Sequence, residues 1–514
     1  MTSQNSENLD KARRRLYSVL SVCAFVTFAV LLSVRLGRIP FWNDELYTRG
    51  FIESLKQIHS DAFHPSGYYL LLYGWKQILG DGDTALRAFS VLWGLVAFVL
   101  ASAIGRRTLR PSQVVLAEWL IALSPFIILY FRMARYYSMT AAMALLVVYC
   151  AILVAQRGLA RHWILLPLVC AGLVGTDYFA TAMLLPLFVW LFVVALRRGQ
   201  VLHFAASSVA TAAFAAVMLR RVIWGVEGLS RVSSEWGMDI SATDVLMRLF
   251  LPVYSLAIGE TTFPWRIYIT IPALAAVVCA LVVGLLAQRS RRGIGVVKWG
   301  WVLSVLVVCF VLSVFARHQV LSAAARLSIF AAPLGYLTIA VGITRIRRRT
   351  LRAAALAILL VSNVYGLTNY FTQRQFLNPN YIVPWRSIVR TIAERSHPAD
   401  RVISYEATIT EYGDIPDFAG VSVERPPEEW SKMLRWPENG GRLWMVARDR
   451  GAMHTRLQQN ELVENLRRHA AETEVFGFMA YGDLERRMRS LLLRREVPEY
   501  YITLYLFEPP DNGG

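Results

Sequence analysis

The chain has 514 residues, 55% of them hydrophobic, with a mean hydropathy of +0.42 and a formal charge of +18. A soluble protein of this length would divide into roughly two to four domains and would not be so apolar, which excludes an ordinary cytosolic enzyme. Nucleic acid is an equally poor match for the charge: from residue 371 onward 19 Lys and Arg meet 21 Asp and Glu, so the surplus, 35 basic against 15 acidic residues, lies in the apolar part, where loop charges that orient membrane helices are its ordinary source.

The first apolar run, LYSVLSVCAFVTFAVLLSV (16–34), is nineteen residues without a charge, close to the ~20 that a helix needs to cross the hydrocarbon core. It follows KARRR like a signal peptide, but it is too long for an h-region and no small-x-small cleavage site follows, so it reads as an uncleaved span. Ten more spans are predicted near 88–105, 113–131, 137–156, 162–176, 180–196, 201–219, 266–287, 297–316, 326–344 and 352–370. The run 162–196 divides at Gly175-Thr176-Asp177-Tyr178, and the amphipathic DVLMRLFLPVYSLAIG in the loop 220–265 is expected to lie along the interface rather than cross.

With the N-terminus in the cytoplasm, the inside segments 11–15, 106–110, 157–161, 197–198, 289–298 and 345–352 hold twenty Lys and Arg and no acid. Asp44, Glu45, Asp61, Asp81, Asp83, Asp177, Glu227, Glu235, Asp239 and Glu260 all fall outside, as the positive-inside rule requires. The expected protein is mostly α, a polytopic membrane protein of the plasma (inner) membrane with about eleven transmembrane helices. Its parts are a cytoplasmic tail (1–15), a transmembrane domain (16–370) with a catalytic outer loop (37–87), and a small C-terminal extracytoplasmic α/β domain (371–514). In that domain WRSIVRTIAER and HTRLQQNELVENLRRHAAE have helical spacing, while RVISYEA, RLWMVAR and the closing YYITLYLF read as strands. All five cysteines lie in apolar runs, against a disulfide scaffold or a CxxC zinc site.

Chemistry is concentrated after the first span, in FWNDELYTRGFIE (41–53). Taken alone, Asp44 and Glu45 suit the start of an interfacial helix, where acids complement the N-terminal dipole and Trp42 sits in the aromatic belt. Further on come His64-Pro65-Ser66-Gly67-Tyr68-Tyr69 and Gly82-Asp83-Thr84-Ala85-Leu86-Arg87 with Ser90, then Ala134-Arg135-Tyr136-Tyr137-Ser138-Met139, Arg326-Leu327 with Pro333, Pro384-Trp385-Arg386, and His397-Pro398-Ala399-Asp400-Arg401-Val402.

Together these elements resemble the GT-C glycosyltransferases of the protein mannosyltransferase and aminoarabinose transferase superfamily: a first span, an Asp-Glu pair in the first outer loop, an H-P-P-L-Y-Y-like element and an A-L-R…S element before the second span. Ser66-Gly67 replaces the more usual Pro-Leu, and Leu327 replaces a Tyr. The resemblance implies transfer of a monosaccharide from a polyprenyl-phosphate donor to a glycan, lipid or protein acceptor of the cell envelope. Asp44 matches the family's catalytic Asp and is expected to be the general base, with Glu45 orienting it or binding acceptor. Inversion by a single in-line displacement is implied by the class.

A departing lipid phosphate needs a cation, and Arg135, Arg317, His318 and Arg326 lie on the outer side where the charge rule disfavours them. Guanidinium binds phosphate as a fork and stays charged; snorkelling at a helix end is the alternative for each. His64 either polarises a sugar hydroxyl or phosphate, or is a loop hydrogen-bonder. Asp177 is either an acceptor contact or an ordinary turn aspartate. Tyr68 and Tyr136, by their place in the matched elements, are expected against substrate.

Asp81-Gly82-Asp83 invites a D-x-D metal site, but Asp residues directly before a helix cap it, and a metal needs several convergent oxygens. No metal site and no cofactor are assigned, with dependence on a divalent metal left open, and no P-loop, H-E-x-x-H or G-x-S-x-G is present. The expected partners are the donor lipid, the acceptor and the surrounding membrane lipids, with no nucleic acid. A lipid-linked sugar transporter or flippase and a non-catalytic envelope scaffold are the rival readings; against the first, the chain shows no half-to-half correspondence.

Overall fold

The computed structural model of the protein describes residues 2–60, 64–217, 242–287, 294–315, 323–404, 422–424, 436–437, 440–449, 453–493 and 495–510. The chain forms two units: residues 1–38 with 47–378, and residues 39–46 with 379–514.

The first unit is helical. Its elements in order are α1 (Thr2–Ser33), α2 (Asn43–Phe51, whose start belongs to the second unit), α3 (Leu55–Ser60), α4 (Gly67–Leu79), α5 (Asp83–Thr108), α6 (Pro111–Ala122), α7 (Pro125–Phe131), α8 (Tyr137–Arg157) and α9 (Ala160–Val174). A 3-10 turn (Ala180–Met183) leads into α10 (Leu184–Arg198) and α11 (Val201–Val217). There follow α12 (Ala242–Ile258), α13 (Ile267–Leu286), α14 (Ile294–Phe315), α15 (Ala323–Leu327), α16 (Ala332–Arg345) and α17 (Arg349–Phe371).

Among the described residues seven helices are long and apolar enough to cross a membrane, or eight if α6 and α7, bent by 58°, form one span. This is a multi-pass membrane protein. Each predicted span falls on a helix; α9, α11 and α16 are shorter than a full crossing. The bend inside the predicted span 113–131 has a local cause. Ser124 caps α7, its Oγ accepting from Ile127 N–H at 3.2 Å, and Pro125 opens the new helix without a donor. A hydropathy window averages over such a break.

The piece expected along the interface is α12, one face of which packs into the bundle. Tyr254 and Leu256 are buried, and Leu256 O accepts from Tyr336 Oη at 2.9 Å. Its exposed Leu246 and Phe250 form the other face. Helices α13 and α16 cross closely because small residues meet there: a Cβ on Gly342 would fall 1.8 Å from the Ala280 carbonyl oxygen.

Two arginines satisfy carbonyls at the end of α1, where a helix leaves acceptors without intrahelical partners. Arg132 donates to Leu31 O at 2.5 Å and Val34 O at 2.7 Å, and Arg87, the arginine of the A-L-R element, donates to Leu36 O at 3.0 Å. The Asp81-Gly82-Asp83 element departs from the expected cap: Gly82 is the N-cap of α5 with no side-chain hydrogen bond, Asp83 sits in the first turn, and Asp81 pairs with Lys76 at 3.6 Å.

The second unit is α/β. After α18 (Trp385–Arg395) come β1 (Arg401–Ser404), β2 (Ser422–Glu424), β3 (Leu443–Arg448), α19 (Met453–His469), β4 (Thr473–Ala480), α20 (Asp483–Leu493) and β5 (Tyr500–Phe507). The sheet order is β2-β1-β3-β5-β4, with β1 parallel to β2 and β3, and β5 antiparallel to β3 and β4. β5, last in sequence, is thus interior, which explains its apolar character. Ile403, Leu443, Met445 and Phe507 pack with Leu462, Val463 and Leu466 of α19. Asp400 knits this unit together. Burial pushes its carboxyl up, but donors from Arg442, His397 N–H, Arg442 N–H and Trp444 Nε1 outweigh that and hold it below the usual carboxylate range.

Candidate functional site

Helix α2 opens with both acids in its first turn. Glu45 is buried, and its Oε2 accepts from the backbone N–H of Trp42, three residues back, at 3.4 Å. That is the return half of a capping box, so Glu45 serves the start of its own helix. Within the second unit the same start is held by Trp42 edge-on to Tyr381, centroids 4.7 Å apart, and by Arg448 Nη1 donating to Asn43 Oδ1 at 3.4 Å. Asp44 is half-buried beside it.

One turn further along α2 is Thr48, fully buried, whose Oγ1 accepts from Arg135 Nη1 at 3.1 Å. The same Nη1 donates to Tyr69 Oη at 3.1 Å, and Nη2 lies 3.3 Å from His64 Nε2. Arginine only donates, so His64 accepts at Nε2 and carries its proton on Nδ1. The guanidinium lies 5.0 Å from the Tyr136 ring centroid. Burial, with Asp177 adding to it, pushes the Tyr136 phenol well above its ordinary range, so the ring stays neutral. Tyr68 is fully buried, and its hydroxyl pairs at 3.0 Å with Ser90, which donates to the Arg135 carbonyl at 3.3 Å. Tyr68 therefore supports the arginine from behind.

Asp177 lies in the turn between α9 and the 3-10 turn and makes the turn's own hydrogen bond, Oδ1 accepting from Phe179 N–H at 2.8 Å. It is also buried. Burial pushes its carboxyl up to about 7, against the pull of the Phe179 and Ala180 N–H groups and of the Arg135 charge. The turn is joined to the His64–Tyr69 element by the Gly67 N–H, which donates to Gly175 O at 2.8 Å.

A further buried carboxylate lies outside the candidates that the sequence suggests. Glu260, just after α12, accepts from Tyr130 Oη at 2.9 Å and Ser255 Oγ at 3.4 Å. Burial raises it to about 7, opposed by the Tyr130 hydrogen bond and then by the charge of half-buried Arg326. Tyr130, Tyr137 and Tyr136 follow one another in a row, the first pair edge-on and the second tilted, with centroids 5.1 Å apart in each. Arg135 and Arg326 thus stand at the two ends of one tyrosine row, each with a buried acid near neutrality. Thr48, Tyr130 and Glu260 lie outside the matched motifs, and Tyr69 lies inside one without being a candidate. Glu260, an acid inside an otherwise apolar stretch, is the detectable signal. Arg317 and His318 lie outside the described residues. Among those residues no group of three or more His, Cys, Asp or Glu converges on a metal-sized site.

Residues 63–224 match the model of the family described as dolichyl-phosphate-mannose-protein mannosyltransferase. That stretch takes in His64, Tyr68, Arg135, Tyr136 and Asp177. No curated protein matches the sequence. Among solved structures, ArnT from Cupriavidus metallidurans bound to undecaprenyl phosphate is 13% identical with a TM-score of 0.51, over 94% of this chain and 97% of that one. ArnT from the same organism in the apo state is 10% identical with a TM-score of 0.54, over 96% and 98%. At such identities the likeness is one of fold.

Proposed function

On the GT-C fold that the chain shares with these structures, we propose that it is a membrane glycosyltransferase using a lipid-phosphate-linked sugar. It moves a monosaccharide from a polyprenyl-phosphate donor to a glycan, lipid or protein acceptor on the outer face, consistent with undecaprenyl phosphate in the ArnT structure.

The observation that carries this reading is the setting of Arg135. Thr48, Tyr69 and His64 hydrogen-bond the guanidinium on three sides, which fixes its orientation. Asp177, whose carboxyl feels the guanidinium charge, is buried and partly protonated near pH 7. A guanidinium prepared in this way suits the phosphate that leaves as the glycosidic bond breaks.

The nucleophile needs a base. Asp44, in the first turn of α2, is the candidate. Asp44 takes the proton of the acceptor hydroxyl as its oxygen attacks the anomeric carbon; the bond from that carbon to the phosphate oxygen breaks, and the lipid phosphate departs toward Arg135. One displacement of this kind inverts the sugar carbon. Arg326, with Glu260 and Tyr130, offers a second cation for the same headgroup.

The test is transfer from a radiolabelled polyprenyl-phosphate sugar by purified protein. Asp44→Asn is expected to lower transfer by about 10²–10⁴ with an unchanged melting curve. Equal transfer by both proteins removes Asp44 from this role. Movement of the lipid across a bilayer without transfer points to a flippase.

A further inference from the structure

At the other end of the first unit, away from Arg132 and the carbonyls it serves, α1, α5 and α6 enclose a crevice of about 900 Å³, large for a small-molecule site. Arg14 and Arg106 stand in its lining at the basic segments 11–15 and 106–110, and Val22, Phe25, Phe98 and Val99 run along its length. Val22 and Val99 are more than half exposed, so these walls open sideways to the hydrocarbon. At the back is Glu118, 2% exposed in the middle of α6. An acid within a membrane helix is costly unless paired. Its Oε1 accepts from Ser102 Oγ and lies 3.6 Å from Arg106 Nη2. Arg106 itself remains 66% exposed, so the ion pair steadies one edge of the guanidinium and leaves the rest for a ligand.

Two cations over an apolar trough call for an amphiphile with an anionic head. We propose that the crevice binds an anionic glycerophospholipid of the cytoplasmic leaflet, its phosphate between Arg14 and Arg106 and one acyl chain along Phe25 and Phe98. Basic pockets between membrane helices on the cytoplasmic side select such lipids, and the guanidinium fork suits a phosphodiester. The leaflet follows from the loop charges; nothing in the proposal depends on the catalytic reading.

The test is native mass spectrometry of the detergent-purified full-length protein titrated with phosphatidylglycerol and, separately, phosphatidylcholine. Phosphatidylglycerol is expected to be retained in preference. Arg14→Ala with Arg106→Ala is expected to weaken its retention about 30-fold. Arg13→Ala with Arg15→Ala removes the same charge from exposed neighbours outside the crevice and is expected to leave retention unchanged. Val99→Trp, which fills the trough and alters no charge, is expected to lower it. Equal retention of both lipids, equal loss in the two arginine pairs, or displacement of the lipid by inorganic phosphate alone would each overturn the proposal.

Discussion

The backbone N–H of Gly67 donates to the carbonyl of Gly175 at 2.8 Å, tying the start of α4 to the turn that carries Asp177. A Cβ on Gly67 would stand 2.4 Å from that same oxygen, so the two backbones approach only because residue 67 has no side chain. This accounts for a glycine at position 67. Gly67→Ala is expected to cost about 1–3 kcal/mol and to lower transfer by shifting His64 and Tyr69 away from Arg135. Thermal melting together with activity checks it; an unaltered melt with full activity would show that the contact is dispensable.

Arg135→Lys keeps a positive charge but loses the fork that reaches Thr48, Tyr69 and His64 together. Transfer is expected to fall by about 10²–10³, and Arg135→Gln is expected to fall further. Donor titrations measure it. Activity near wild type in Arg135→Lys would make the residue a simple counter-charge.

Asp177 and Glu260 give the protein a definite pH response. Both carboxyls are raised to about 7 in the folded state, above unfolded values of about 4. Between those values the folded protein binds more protons than the unfolded chain, so stability falls as pH rises. The contribution is fully present below about pH 4 and gone above about 7. Asp177→Asn and Glu260→Gln are each expected to flatten the slope of melting temperature between pH 5 and 8, read by scanning fluorimetry across a pH series. An unchanged slope in both variants contradicts the assignment.

Much of this arrangement was legible in the sequence, for reasons that differ by level. Span positions come from apolar runs, which the bilayer imposes directly, and Arg135 stands out because an arginine in a loop read as outer opposes the charge rule. Three-dimensional neighbours were not legible: Thr48, Tyr69 and Arg135 come from three separate segments, and only packing brings them together. Tyr68 and Tyr69 are adjacent in one element, yet the helix turns the first toward Ser90 and the second toward Arg135; motif matching selected Tyr68. Glu45 read as half of an acidic pair, whereas its carboxylate reaches back to the Trp42 backbone. The short β2 and the largely exposed β4, with Gly477 in its middle, lack the apolar run that betrays a buried strand.

Asp400 makes the H-P-A-D-R-V element structural. Its carboxylate is held below the usual range and accepts from Arg442 Nη2 at 2.9 Å and Trp444 Nε1 at 3.1 Å. Its stabilisation is therefore present above about pH 4 and lost as pH falls through the lower folded value. Asp400→Ala leaves Arg442 without that carboxylate and is expected to cost about 3–5 kcal/mol. Limited proteolysis of the full-length protein should then cut first within 379–510. Resistance equal to wild type would mean that the sheet does not need this node.

The proposed reaction divides its labour, with Arg135 holding the lipid phosphate and Asp44 moving the proton. Donor affinity and transfer, measured separately on the same preparations with a labelled polyprenyl-phosphate sugar, test it most directly. Asp44→Asn is expected to bind donor as the wild type does and to transfer almost none, while Arg135→Gln loses both. Transfer surviving in Asp44→Asn, or donor binding unaffected in Arg135→Gln, would contradict it.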